Sequence, residues 1–303
     1  MVVQQQGLEE VEQDIDGLTI DDWQQRGQYL DHRGQRIFYV DEGEGEALLC
    51  IHGFPGCSWD WHLMWPQLSH HFRAIAPDMM GFGFSDKPFE YPYSVADQAD
   101  TIEELCQQLG LSKVHLIAHG SGVAEVLEML ARRNEGGEAD RCIASVILLN
   151  SSLLQEATET VTEGRLLLQL GEKLVQNVSS DFLGNFLNTM RGPLTKLANS
   201  EEGIYWQLLE RGGGLRIVDK LMHYLSDRRE HHSRWLRALE NPRLPIHAVI
   251  GEADPVWGEE IKEYLERHLP NVGITRLPEI GHYPHLEDPE GVLGACSEFV
   301  PGW

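Results

Sequence analysis

The stretch Val114-His115-Leu116-Ile117-Ala118-His119-Gly120-Ser121-Gly122 decides how this chain folds. Its apolar first half predicts a buried strand, and residues 122–132 after it predict a helix. The small residues Ala118 and Gly122 on either side of the turn allow a very sharp reversal between strand and helix. This layout is typical of a nucleophile elbow, a turn that holds one side chain above the end of a sheet.

Strands and helices alternate on both sides of this turn. Apolar runs predict strands at 47–51, 72–76, 143–149, 246–250 and 273–277. Helices are predicted at 61–70, 96–109, 259–269 and 289–300. A hairpin is predicted to join 28–30 to 36–40. Nearly continuous apolar strands are typical of a parallel sheet with helices on both faces. The alternation therefore predicts an α/β fold.

The alternation stops after residue 150, and the pattern up to residue 240 is helical throughout. We predict an acidic, loosely docked arm at 1–26, a first part of the core at 27–150, a helical cap at 151–240 and a second part of the core at 241–303. Ligands of open α/β sheets bind at the carboxyl ends of the strands. A cap inserted there would cover a ligand site.

The composition of the 303 residues limits what the protein can bind. Acidic residues outnumber basic ones 48 to 24, and the net charge of −24 repels nucleic acid and anionic membrane surfaces. No apolar run is long enough to cross a bilayer. The start, MVVQQQGLEE, lacks the basic and apolar regions of a signal peptide. Because five widely spaced cysteines favour a reducing compartment, we expect a cytoplasmic protein.

Three further loops supply candidate catalytic groups. His52-Gly53-Phe54 follows the strand at 47–51, where backbone N–H groups are free to bind an anion. Asp254 comes directly after the strand at 246–250, and His282 lies in a late loop. The order elbow, acid, histidine along the chain is that of the α/β hydrolases.

Several further motifs extend this likeness over roughly residues 27–300. They are His52-Gly53-Phe54-Pro55, Trp59, Trp61, the run GFGFSDKP at 81–88, Tyr93-Ser94, Gln98-Ala99, Asp254-Pro255-Val256 and the run HYPHLEDP at 282–289. With these motifs the chain resembles the epoxide hydrolase and haloalkane dehalogenase branch of the α/β hydrolases. The resemblance implies a mostly parallel eight-stranded sheet flanked by helices, with an inserted helical cap. It also implies hydrolysis of a small, largely apolar ester or epoxide.

The elbow departs from the pattern of that branch. The resemblance implies the order small-His-Asp-x-Gly with aspartate as the nucleophile, whereas this chain has Ala118-His119-Gly120-Ser121-Gly122 in the same frame. Gly120 therefore takes the nucleophile position and offers no nucleophile. Ser121 stands where the branch commonly has an aromatic residue, so a halide-binding tryptophan is missing and dehalogenation is disfavoured.

Three interpretations of this elbow stay open, besides an engineered loss of the nucleophile. In the first, Ser121 is a displaced nucleophile, His282 its base and Asp254 the acid that orients the base. The N–H groups of Phe54 and Ser121 would then form the oxyanion hole, although Ser121 points about 100° away from the nucleophile direction. In the second, His282 and Asp254 act alone on water or on a substrate proton. In the third, the protein binds a ligand or partner without catalysis.

Side chains outside the elbow complete the predicted site. The resemblance makes the cap residues Tyr205 and Tyr224 candidates to donate to an epoxide oxygen, and Trp59 a candidate for the pocket wall. Three histidines are expected to be structural neighbours of the site: His52, His119 and His285. Nothing in the sequence suggests a metal ion or an organic cofactor. We expect the chain to bind a small molecule and to be a monomer or a homodimer.

Overall fold

An eight-stranded sheet runs through the centre of the computed structural model, which describes residues 17–136, 142–151, 179–240, 242–255, 265, 267 and 269–300. Its strands are β1 (Gly27–His32), β2 (Gln35–Glu42), β3 (Ala47–Ile51), β4 (Arg73–Pro77), β5 (Val114–His119), β6 (Ile143–Leu149), β7 (Ile246–Gly251) and β8 (Gly273–Leu277). They lie in the order β1-β2-β4-β3-β5-β6-β7-β8. Strand β2 runs antiparallel to β1 and β4, and the other neighbours are parallel. The predicted α/β-hydrolase sheet is confirmed.

Helices connect and flank these strands. Those in the described part of the chain are α1 (Ile20–Arg26), α2 (Trp65–His71), α3 (Val95–Gln108), α4 (Gly122–Asn134), α5 (Ser180–Thr189), α6 (Asn199–Glu210), α7 (Val218–Leu221), α8 (Tyr224–Glu240), α9 (Pro284–Glu287) and α10 (Pro289–Phe299), with 3₁₀ turns at Ser58–Trp61 and Arg211–Arg216. None of them is long and apolar enough to cross a membrane. The helix predicted at 259–269 lies mostly outside the described residues.

The central strands are buried from end to end. Every residue of β3 and β5 is buried, as the nearly continuous apolar runs predict for a sheet covered on both faces. Because these strands are parallel, their carboxyl ends meet at one edge of the sheet. The loops that follow β3, β5, β6 and β7 therefore come together there.

The described residues 179–240, which lie between β6 and β7, contain helices α5 to α8 and no strand. Helix α8 lies against the core helix α4: the indole N–H of Trp235 donates to the carboxylate of Glu128 at 2.8 Å, and Arg234 pairs with Glu135 at 2.8 Å. Residues 152–178, where a further helix is predicted, lie outside the described residues. The division of the chain into core and cap stays a prediction.

The described end of the acidic arm forms a helix that continues directly into the sheet. Helix α1 begins with a capping box, in which the side chains of Thr19 and Asp22 each accept from the other residue's backbone N–H. Strand β1 starts at the next residue after α1. Residues 1–16 of the predicted arm lie outside the described residues.

Trp23 anchors this helix to the core. Its side chain is fully buried, and its ring meets those of Trp59 and Trp65 edge-on, with centroids 5.9 and 5.1 Å apart. Its indole N–H donates to the hydroxyl of Ser58 at 3.0 Å. The expectation of loose docking is therefore wrong for α1, because burial of one large aromatic side chain fixes a helix whose other residues are mostly polar.

Trp23→Ala should destabilise the protein by about 3–5 kcal/mol, because it removes a fully buried indole and leaves a cavity between two other tryptophans. The free energy of unfolding in guanidinium chloride measures this loss. Gln25→Ala, at an exposed position of the same helix, is the control and should change it by less than about 0.5 kcal/mol. Equal, small effects of both substitutions would contradict the anchoring role of Trp23.

Candidate active site

The turn after β5 has the backbone of an elbow. Gly120 has a φ of +57°, in the left-handed region that L side chains adopt only at a cost. Its N–H donates to the carbonyl oxygens of Leu149 and Asn150, at 3.2 and 3.0 Å. These hydrogen bonds tie the turn to the end of β6, and helix α4 begins two residues later.

A small residue after this turn is required by packing. A Cβ on Gly122 would lie 2.3 Å from the carbonyl oxygen of His52, far closer than two such atoms can approach. The loop after β3 is therefore able to lie directly against the elbow only because residue 122 is glycine. This contact explains why the predicted elbow needs a small residue on this side of the turn.

A side chain at position 120 would be directed at His282. A Cβ built on Gly120 would lie 3.6 Å from Nε2 of His282 and 3.7 Å from Cα of Gly53, which are ordinary contacts. Position 120 thus has both the direction and the room that a nucleophile-bearing residue needs.

His282 and Asp254 form a buried, hydrogen-bonded pair. Nδ1 of His282 lies 2.8 Å from Oδ2 of Asp254; the Asp254 side chain is fully buried and that of His282 is 9% exposed. Because a carboxylate only accepts hydrogen bonds, Nδ1 carries the proton of this bond. In the neutral imidazole, Nε2 is then an acceptor that faces position 120. This is how a general base is oriented by a neighbouring acid.

Asn150, which the sequence analysis missed, fixes the carboxylate of Asp254. Its Nδ2 donates to Oδ2 of Asp254 at 2.8 Å and lies 3.2 Å from the carbonyl oxygen of Gly281. Its Oδ1 accepts from the N–H of Gly251 at 2.8 Å. Asn150 comes directly after β6, at the sheet edge where ligands bind, and that position is the signal that could have revealed it.

Glu287 holds the loop that carries His282. Its carboxylate accepts from the N–H groups of Gly281 and Tyr283, both at 3.0 Å, and from that of Gly192 at 2.8 Å. Hydrogen bonds to charged acceptors are about twice as strong as those between neutral groups. The loop of the candidate base is therefore fixed on both sides of His282 and tied to the segment after α5.

Ser121 is turned toward the loop after β3. Its hydroxyl accepts from the N–H of Phe54 at 2.7 Å, and its own backbone is already helical, with φ −66° and ψ −27°. In the part of the chain that the structure describes, no hydrogen bond joins Ser121 to His282. Phe54 and Ser121, the residues predicted to form the oxyanion hole, thus lie together, and the Phe54 N–H is engaged by the serine hydroxyl.

A cavity of about 20 Å³ lies between the elbow and the candidate base. Its described lining consists of Phe54, Gly120, Ser121, Phe186, Met190, Tyr224, His282 and Tyr283. Of the predicted substrate-binding residues, Tyr224 on α8 belongs to this lining. Burial raises the pKa of Tyr224, so that its hydroxyl stays protonated and can donate. A cavity of this size is large enough for one water molecule.

The other two predicted substrate-binding residues lie behind this lining. Trp59 is 2% exposed and stacks on His62 with ring centroids 4.3 Å apart. Tyr205 is 5% exposed, and its hydroxyl neighbours the carboxylate of Asp60. Neither side chain belongs to the described lining of the cavity.

The three histidines expected beside the site are all buried. Burial lowers the pKa of His52 to about 4, so it is neutral at pH 7, and its Nε2 accepts from the N–H of Met79 at 3.0 Å. Nε2 of His119 lies 2.8 Å from the carbonyl oxygen of His282 and donates to it. His285 packs against His119, with ring centroids 4.4 Å apart.

Comparison with known proteins extends over most of the chain. The family described as "alpha/beta hydrolase fold" matches residues 46–289. The mesoderm-specific transcript protein of Mus musculus is 33% identical over 290 residues, which are 92% of this chain and 87% of that protein. The soluble epoxide hydrolase of Corynebacterium sp. is 25% identical over 289 residues, 88% of this chain and 94% of that protein. The structure of "Epoxide hydrolase CorEH without ligand" matches with a TM-score of 0.75 at 20% identity, covering 90% of this chain and 97% of that one.

Asn150→Ala should destabilise the protein by about 1–3 kcal/mol, because it leaves the buried N–H of Gly251 and a carboxylate oxygen of Asp254 with fewer partners. Urea unfolding measures the change. Ser297→Ala, which removes an exposed hydroxyl from α10, serves as the control and should have almost no effect. A stability of Asn150→Ala equal to that of the control would mean that this network is not needed to hold the site.

Proposed function

This chain belongs to the α/β-hydrolase fold family, and we propose that it hydrolyses a small, largely apolar ester or epoxide with a water molecule activated by His282 and Asp254. The observation that carries the proposal is the open space between Gly120 and His282. Nε2 of His282 lies only 3.6 Å from the point where a Cβ at position 120 would be. A water molecule in the 20 Å³ cavity would stand within hydrogen-bond reach of that nitrogen.

The proposed step with an ester moves one proton out and back. His282 Nε2 takes a proton from the water as the water oxygen bonds to the carbonyl carbon, and the carbonyl electron pair moves onto oxygen. Asp254 stabilises the imidazolium that forms. When the tetrahedral intermediate collapses, the ester C–O bond breaks and His282 returns the proton to the leaving alkoxide. With an epoxide, His282 takes a proton from the water as the water oxygen bonds to a ring carbon and the ring C–O bond at that carbon breaks. Tyr224, which lines the cavity, would hydrogen-bond to the alkoxide oxygen, and His282 returns the proton to that oxygen.

Ser121 is better placed to occupy the oxyanion hole than to act as a nucleophile. Its hydroxyl is held by the Phe54 amide, and a substrate oxygen that uses this amide has to displace it. A hydrogen bond from a backbone N–H to a developing oxyanion lowers the barrier by a few kcal/mol. The serine therefore competes with the substrate for one of the predicted donors.

Ser121→Ala should keep or increase the hydrolysis of p-nitrophenyl acetate and styrene oxide, because it frees the Phe54 amide. His282→Gln should reduce turnover by about 10²–10⁴-fold, the usual contribution of a general base. His70→Gln, on the exposed surface of α2, is the matched control and should behave as the wild type. The measurement is the initial rate of each variant, with circular dichroism to verify folding.

The outcomes of this comparison separate the three interpretations of the elbow. Loss of turnover in both Ser121→Ala and His282→Gln would support the displaced serine nucleophile. Turnover that is the same in wild type, His282→Gln and His70→Gln would overturn catalysis by His282 and favour a ligand-binding protein.

The backbone at Gly120 also supports a second function, that of a hydrolase fold that lacks only its nucleophile. The left-handed φ of +57° persists although glycine has no side chain to present. For an L residue this conformation costs about 1–2 kcal/mol. Asp254, His282 and the elbow thus keep the arrangement in which the related branch uses an aspartate.

Gly120→Asp should create hydrolysis of styrene oxide, since its carboxylate would attack a ring carbon and His282 would then activate the water that cleaves the resulting ester. Gly120→Asn is the control of equal size without a nucleophilic carboxylate and should stay at the wild-type rate. In Gly120→Asp combined with His282→Gln, the covalent ester should accumulate and raise the protein mass by that of one substrate molecule. Equal rates of the Asp and Asn variants, with no such adduct, would contradict this second function.

A further inference from the structure

Three buried side chains that the proposed reaction does not use lie together behind the elbow. They are Asp60 in the 3₁₀ turn after β3, His119 at the end of β5 and His285 in α9, each at most 1% exposed. One possible ligand atom from each residue lies within 4.8 Å of the other two. Three elements distant along the chain thus bring two imidazoles and one carboxyl group to a single point.

Four polar atoms of this cluster have no hydrogen-bond partner within ordinary distance among the described residues, although the Tyr205 hydroxyl neighbours the Asp60 carboxyl group. These atoms are Oδ1 of Asp60, Nδ1 of His119 and both ring nitrogens of His285. Leaving a buried polar group without a partner costs about 1–3 kcal/mol, and such groups in native proteins are nearly always satisfied. One such atom from each residue lies in the cluster, and an ion that accepts a lone pair from each would satisfy three of the four.

The hydrogen bond of His119 leaves the lone pair of its other ring nitrogen available to a metal ion. Its Nε2–H donates to the carbonyl oxygen of His282 at 2.8 Å, so the proton of the neutral ring is on Nε2 and the lone pair is on Nδ1. Histidines that bind metals typically donate their other ring N–H to a carbonyl or carboxylate oxygen in this way. Burial also lowers the pKa of both His119 and His285 well below the usual value, which keeps the two rings neutral and able to coordinate.

We propose that Asp60, His119 and His285 bind a divalent transition-metal ion such as Zn²⁺ or Co²⁺. Two imidazole nitrogens and one carboxylate oxygen suit these ions, whereas Mg²⁺ and Ca²⁺ prefer oxygen alone. Atoms about 2.1 Å from one tetrahedral ion lie about 3.4 Å apart, so a separation at the 4.8 Å limit of the cluster has to close by about 1.4 Å. Rotations of the three side chains have to supply that shift when the ion binds.

The charges around the cluster partly offset each other. The guanidinium of Arg191 acts on both Asp60 and His285 and opposes a cation, while the carboxylate of Asp78 acts on Asp60 and favours one. Burial raises the pKa of Asp60 to about 8, so a proton and the ion compete for this carboxyl group near pH 7. Tyr205, whose hydroxyl neighbours Asp60, is placed to orient the carboxylate.

The test uses the full chain, stripped with a chelator and then given Zn²⁺ or Co²⁺ alone. We expect about one ion per chain by elemental analysis after gel filtration, a raised melting temperature, and visible d–d absorption of the Co²⁺ form. Asp60→Asn and His285→Gln should weaken binding by more than about 100-fold, since loss of a group that only hydrogen-bonds to a metal ligand already costs about 10–100-fold. His70→Gln, which alters an exposed histidine next to His71, should bind as the wild type.

Two results would overturn the proposal. One is a stripped chain that takes up no Zn²⁺ or Co²⁺; the other is binding that survives Asp60→Asn and His285→Gln but is lost in His70→Gln, which would assign the ion to surface histidines. Where the buried variants fail to fold, anomalous diffraction at the zinc edge from wild-type crystals decides. A peak among the three side chains supports the site, and density for an ordinary water molecule there overturns it.

Discussion

The hydrogen bonds from the N–H of Gly120 to the last carbonyl groups of β6 are the constraint on which the site depends. They hold a left-handed turn at the carboxyl edge of the sheet, and they bring the start of α4 against the loop after β3. The loop contributes Phe54, and the strand end contributes Asn150. A backbone arrangement of this kind needs no side chain at residue 120, and this explains how the elbow can keep its geometry with glycine at its tip.

The candidate base has supports besides the elbow. Asp254 is fixed by Asn150, and the loop of His282 is fixed by the carboxylate of Glu287. Replacing a strained residue at position 120 by glycine relieves about 1–2 kcal/mol of backbone strain, and it removes no hydrogen bond from this network. Glycine at position 120 therefore does not by itself loosen the pair of His282 and Asp254.

The fold and part of the site could be predicted because their signals are local. Continuous apolar runs mark the buried strands, and small residues around 118–122 mark the sharp turn. Trp23 was missed because the scattered apolar residues of the acidic segment 1–26 show no clear periodicity. Asn150 was missed because its role arises only where three strand ends meet. The direction of the Ser121 side chain, toward Phe54, likewise depends on a contact between segments that are far apart in sequence.

His119 joins the two polar networks behind and above the elbow. It directly precedes Gly120, and its Nε2–H donates to the carbonyl of His282, so both the turn and the base respond to the orientation of this one ring. The His119 ring packs against that of His285, and both side chains are buried. The His119 ring also lies against that of His282, with ring centroids 5.0 Å apart. The packing of His119 against His285 and its hydrogen bond to His282 therefore limit how far the candidate base can move, because all three side chains are buried.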